Sequence, residues 1–97
     1  MFARLTVVQV ETDKIGEFVK LYEQLVLPVA KFQEGYKGDL MLTDDKTGKS
    51  ISITFWDTER HATATETSGY YQQQLGRFKD YFTKPPVKEG YEVSIQR

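Results

Sequence analysis

One strand-like stretch carries much of what could do chemistry in this chain. In Lys49 to Asp57, Lys-Ser-Ile-Ser-Ile-Thr-Phe-Trp-Asp, polar and apolar residues alternate, so Ser52, Thr54 and Trp56 share one face and Ile51, Ile53 and Phe55 the other. Trp56 offers an apolar wall and a single N–H that could donate to a substrate oxygen, or it simply packs where strand meets helix. Ser52 and Thr54 would line a cavity if their face turns toward helices. They would be solvated, or enter an interface, if it turns away. His61, the only histidine, is the one side chain whose ordinary pKa lies near neutrality, which makes it the formal candidate for a general base. Its setting in the charged run Asp57 to His61 shows no orienting partner, so surface exposure is the plainer reading. Arg4 stands on an otherwise uncharged strand and could stabilise a phenolate or an oxyanion; more ordinarily it would pair with a carboxylate. Asp44 and Asp45 are adjacent in a turn and lack the separation that paired catalytic carboxylates need.

The elements that must position these groups follow from pattern. Phe2 to Val10 is rich in β-branched residues and apolar on both faces, so it reads as an interior first strand. Thr12 or Asp13 offers a helix cap, and from Ile15 onward Phe18, Val19, Tyr22, Leu25 and Val26 recur at helical spacing. Pro28 should stop or kink that helix, with a short restart from Pro28 to Gln33. Tyr36 to Thr43 is a second strand, joined to the Lys49 strand through Asp44-Asp45-Lys46-Thr47-Gly48 as a hairpin. Asp57-Thr58 begins a helix over Thr58 to Glu66, and Thr67-Ser68-Gly69 interrupts it and starts another. Tyr71, Leu75, Phe78 and Phe82 then form an aromatic stripe that should face the sheet. Lys84-Pro85-Pro86 ends it, and Tyr91, Val93 and Ile95 alternate in a last strand.

The order β-α-β-β-α-β predicts an α+β, ferredoxin-like domain, a four-stranded antiparallel sheet with the helices on one face. The other face is left bare and apolar. A second copy, sheet against sheet, is its expected cover, which makes the chain a homodimer. At 97 residues the chain should be one domain, 1–97, without repeat or linker. Its 13 basic and 14 acidic residues are dispersed, so no nucleic acid or anionic membrane partner is expected. The absence of cysteine excludes thiolate catalysis and disulfides, and one histidine leaves little for a metal. No segment approaches the roughly 20 apolar residues of a membrane span or the core of a signal peptide, so a cytoplasmic location is the expectation.

Several short stretches together resemble a known family. They are Ala3 to Val10, Val26-Leu27-Pro28, Gly35-Tyr36-Lys37-Gly38, Thr47-Gly48-Lys49, Ser52 to Trp56, Ser68-Gly69-Tyr70-Tyr71 and Pro85-Pro86-Val87. In order and spacing they are similar to the antibiotic biosynthesis monooxygenase domains of the dimeric α/β-barrel superfamily. The resemblance implies a dimer whose two sheets close a barrel, with a ligand cavity between sheet and helices in each subunit. Members of the family include enzymes that oxidise polycyclic phenols with dioxygen and no cofactor, and enzymes that break open haem. The haem-degrading branch places a tryptophan where Trp56 stands, but its asparagine position falls on Thr6 and its histidine position near Glu66, so the iron ligand is missing. The phenol-oxidising branch keeps the tryptophan, with Ser52 at its asparagine position.

Two expectations result. One is a cofactor-independent monooxygenase acting on a small aromatic or quinol-like molecule, with Trp56, His61 and Arg4 as catalytic candidates and Thr6, Ser52, Thr54, Tyr71 and Phe78 as substrate contacts. The other is a non-catalytic ligand-binding or stress-associated homodimer using the same cavity. No cofactor and no metal are expected in either.

Overall fold

The computed structural model describes residues 1–97. Strand β1 spans Phe2–Gln9, and a 3-10 turn at Thr12–Lys14 leads into helix α1, Ile15–Leu25. Neither Thr12 nor Asp13 caps it with a side chain; the chain enters from an extended Glu11, whose carbonyl accepts from Lys14 N–H at 2.8 Å. Helix α2, Leu27–Ala30, restarts with Pro28 in its first turn, where a missing N–H costs nothing. Strands β2, Tyr36–Thr43, and β3, Lys49–Trp56, form the hairpin. Gly48 closes its loop at φ 82°, and a Cβ there would lie 1.8 Å from the Val10 carbonyl oxygen, so only glycine fits. Thr58 caps helix α3, Glu59–Thr67, by accepting from His61 N–H. Gly69, left-handed at φ 87°, separates it from α4, Tyr70–Gly76. The helix predicted to run on through Phe82 stops at Gly76, a poor helix former, and a 3-10 turn at Lys79–Tyr81 follows.

The sheet order is β2-β3-β1-β4, with every pair antiparallel, as the ferredoxin-like expectation required. Strand β4 differs from its expected place. It occupies Val87–Glu92, and Ile95 is 82% exposed outside it. The reason is its partner: β4 pairs only with β1, and beyond Phe2↔Glu92 there is one further bond, Val93 N–H to Met1 carbonyl at 2.9 Å. Apolar alternation alone extends the strand through Val93 and Ile95, which the sheet does not.

The helices cover one face of the sheet. Val8, Val10, Phe18, Val26 and Phe78 form the main core there, and Phe2, Trp56 and Ala62 a smaller one beneath α3. The opposite face carries Leu5, Val7, Leu40, Leu42, Ile51, Ile53, Phe55, Val87 and Tyr91. Of these, Leu40 is 49%, Leu42 48%, Val87 54% and Tyr91 54% exposed in the single chain, a contiguous apolar surface of the kind that marks an interface.

One irregularity sets what the covered face contains. Between Tyr36 and Gly38 the β2–β3 register shifts, so Tyr36 pairs with Trp56 but Gly38, at φ 148°, pairs with Phe55. A regular strand would have put residues 36, 38 and 40 on one face. The extra residue reverses the alternation, turning Asp39 and Met41 toward the helices and Leu40 and Leu42 away.

Candidate functional site

A cavity of about 90 Å³ lies between the sheet and the helices. Its floor comes from alternating positions of three strands: Arg4, Thr6 and Val8 of β1, Asp39 and Met41 of β2, and Ser52, Thr54 and Trp56 of β3. Its roof comes from Phe18 and Tyr22 of α1, from Val26 at the end of that helix, and from the Tyr70 to Phe82 region. Trp56, Arg4, Thr6, Ser52, Thr54, Tyr71 and Phe78 are therefore brought together on one cavity, and the Trp56 face is the one turned to the helices.

His61 is not among them. Its ring lies over Gly35, where an added Cβ would come within 2.3 Å of it; its Nδ1 is 2.8 Å from Thr58 Oγ1 and its Nε2 3.9 Å from Glu34 Oε1. It fastens the turn before β2 to the start of α3. The general base expected at His61 has no place there, because a proton acceptor must reach the substrate and this ring is outside the cavity.

The ionisable group in the cavity that sequence reasoning missed is Asp39. Tyr22 O–H donates to its carboxylate, at 2.7 Å from Oδ1 and 2.8 Å from Oδ2, and Ser52 Oγ is 2.9 Å from the same phenol oxygen. A carboxylate only accepts, so the Tyr22 proton points to Asp39 and Ser52 donates to Tyr22. Asp39 has no ion-pair partner; the nearby Lys37 pairs with Asp57 at 3.4 Å instead. Burial without a countercharge pushes the Asp39 carboxyl up to about 6, against the lowering effect of the Tyr22 hydrogen bond. Burial, reinforced by the Asp39 charge, raises Tyr22 so that it stays a phenol; Tyr36 and Tyr70 are raised for the same two reasons.

Arg4 stands in the same row across the sheet, since Asp39 and Arg4 both pair with Thr54 from opposite sides. Arg4 Nη2 lies 2.8 Å from Glu66 Oε2, both side chains being 13% exposed, and Nη1 donates to the Glu89 carbonyl at 3.3 Å. Lys88 pairs with the other Glu66 oxygen and lies 6.0 Å from the Tyr71 ring centroid. Gly90 faces Arg4 across β1–β4, and a Cβ there would meet Arg4 and Phe2 at 2.5 Å. The Tyr71 hydroxyl is 2.6 Å from Thr6 Oγ1, and burial raises its pKa.

Four lining residues present buried polar atoms without a hydrogen-bond partner: Trp56 Nε1, Arg4 Nε, Tyr70 Oη and Gln74 Oε1. Trp56 is itself only 4% exposed and edge-on to Tyr36 at 5.9 Å. Such orphans are costly in an apolar wall, so several in one cavity mark a place for a polar ligand or ordered water.

The shape of the chain is shared with several solved structures. A candidate antibiotic biosynthesis monooxygenase from Bordetella bronchiseptica superposes with a TM-score of 0.81 at 14% identity, over 97% of each chain. The fold is that of the antibiotic biosynthesis monooxygenase domains. The monooxygenase ActVA-Orf6 of Streptomyces coelicolor, solved in complex with nanaomycin D, has this fold with a TM-score of 0.80 at 12% identity, over 99% of this chain and 91% of that one. The heme degrader MhuD of Mycobacterium tuberculosis, with two hemes in its active site, gives 0.79 at 13%, over 100% and 99%. By sequence, the chain matches no family model and no curated protein. At these identities the monooxygenase fold is what is common.

Haem does not fit this version of the fold. Glu66, at the expected histidine position, is held between Arg4 and Lys88 and is not free to ligate iron.

Proposed function

We propose that this chain is a cofactor-independent monooxygenase of a small hydroxyaryl or quinol-like molecule, working as a homodimer. The observation that carries the reading is the cavity itself, apolar in most of its wall yet supplied with the unpartnered Trp56 N–H and the ionisable Asp39. The deprotonated substrate is the reductant for dioxygen. A ring carbon bearing two hydrogens in the keto tautomer loses both, gains one oxygen atom as a carbonyl, and the second oxygen leaves as water. The protein binds and orients the ring, excludes water and donates a hydrogen bond from Trp56 to the substrate oxygen. Because ligand pockets for drug-sized molecules begin near about 300 Å³, a cavity of about 90 Å³ suits one compact ring system.

The dimer is supported by the bare sheet face, whose leucines, isoleucines and Tyr91 have no cover within the chain. Oxygen uptake across a panel of phenols and quinols, comparing wild type with Trp56→Phe, tests the function. Turnover reduced at least tenfold by the substitution supports it. Tight binding without oxygen consumption by either protein would instead identify a ligand-binding dimer.

A further inference from the structure

We propose that Asp39 is the proton acceptor for the substrate hydroxyl, with Tyr22 as the residue that positions its carboxylate; this rests on the hydroxyaryl reading of the cavity. Three observations converge. The bulge at Gly38 turns a lone acid of β2 into the covered face, where a regular strand would have left it outside. Tyr22 fixes the carboxylate from α1 and is itself fixed by Ser52 of β3, so the group is oriented before any ligand arrives. No cation neutralises it, in contrast to Glu66, which Arg4 and Lys88 hold on the other side of the same cavity.

The groups facing Asp39 are few and uncharged: Tyr22 from α1, Ser52 and Thr54 from β3, Tyr36 on its own strand and Tyr70 from α4. Arg77 acts on Tyr70. A buried carboxylate among phenols and hydroxyls, raised to about 6, is ionised near neutrality yet basic enough to take a proton. In the step itself the substrate O–H bond breaks, the proton passes to an Asp39 oxygen, and the electron pair stays on the aryl oxygen. The arrangement selects substrates with a free ring hydroxyl over their methyl ethers.

The test is binding of 4-nitrophenol, whose absorbance separates phenol from phenolate, to wild type, Asp39→Asn and Tyr22→Phe between about pH 5 and pH 8. Wild-type affinity for the neutral phenol should rise about five- to tenfold through pH 6, the advantage of a charge-assisted over a neutral hydrogen bond. Asp39→Asn should lose that rise. Tyr22→Phe should keep it but move it to higher pH, because the bond that favours the carboxylate is gone; a merely structural tyrosine would leave the profile in place. Binding by all three proteins with one common profile overturns the role of Asp39 while leaving the cavity reading intact. No binding by wild type overturns both. Should Asp39→Asn not fold, the wild-type and Tyr22→Phe profiles decide alone.

Discussion

Replacing Asp39 by asparagine should stabilise this protein near neutral pH, and the pH dependence of that gain tests the geometry directly. The side chain keeps its size and its acceptor for Tyr22 O–H, and what is lost is a buried charge without a partner. The folded carboxyl titrates at about 6 against an ordinary 3.8. A difference of that size corresponds to at most about 3 kcal/mol, and the partial exposure of Asp39 reduces it to roughly 1–2 kcal/mol. The sign follows from proton binding. The native chain holds this proton more tightly than the unfolded chain, so the contribution is full below about pH 4 and lost as pH rises through about 6. Thermal unfolding of both proteins at equal concentration should therefore give similar midpoints near about pH 4, and a midpoint roughly 5–12 °C higher for Asp39→Asn near about pH 8. A variant less stable than wild type at high pH, or a difference that does not change with pH, would refute the account of Asp39 as an uncompensated buried acid. A stabilised variant that also loses the pH-dependent binding of a phenol would be the signature of a functional group kept at the expense of stability.

Other consequences can be checked with single substitutions. Glu66→Gln leaves the Arg4 guanidinium half-buried without its carboxylate, and should lower stability by roughly 2–4 kcal/mol in denaturant titrations. Leu42→Lys places a charge on the bare sheet face, on its edge strand β2, and should convert a dimer to monomer in sedimentation equilibrium; a wild type that is monomeric at micromolar concentration would remove the proposed assembly. Gly48→Ala meets both a positive φ and the Val10 carbonyl, so it should cost more than about 3 kcal/mol or prevent folding, seen as loss of soluble protein.

The order of elements was legible because each has a local signal: β-branched alternation in Phe2 to Gln9 and Ser50 to Trp56, Thr58 as a cap, Pro28 as a restart, Gly48 and Gly69 as punctuation. Ends were less legible, since β4 is bounded by where its partner runs out and the last helix by Gly76, neither of which appears in apolar periodicity. The site was legible on β1 and β3, where strict alternation puts Arg4, Thr6, Ser52, Thr54 and Trp56 on one face. It was illegible on β2 for a specific reason. Read as a regular strand, Tyr36 to Thr43 puts Leu40 and Leu42 with Tyr36 and leaves Asp39 outside, the ordinary arrangement of an acid. The signal that could have corrected this was Gly38, a residue strands tend to avoid unless the backbone needs a positive φ. His61 misled in the opposite way, since chemical type alone recommended it while Gly35 and Thr58 account for its position.

The bulge also ties the two surfaces of the sheet to one event. Because side chains alternate with period two, the inserted residue that sends Asp39 into the cavity is the same one that sends Leu40 and Leu42 to the open face. An acid inside and leucines outside are each unfavourable in an isolated chain. On the proposed function a second copy would cover the leucines and a bound hydroxyaryl ligand would engage the acid. The cavity and the interface are then two results of one backbone irregularity. Substitution at Gly38 should perturb both together: Gly38→Val, strained at φ 148°, should weaken self-association and abolish the pH-dependent phenol binding in the same protein. Loss of one property with full retention of the other would show that the two faces are set independently.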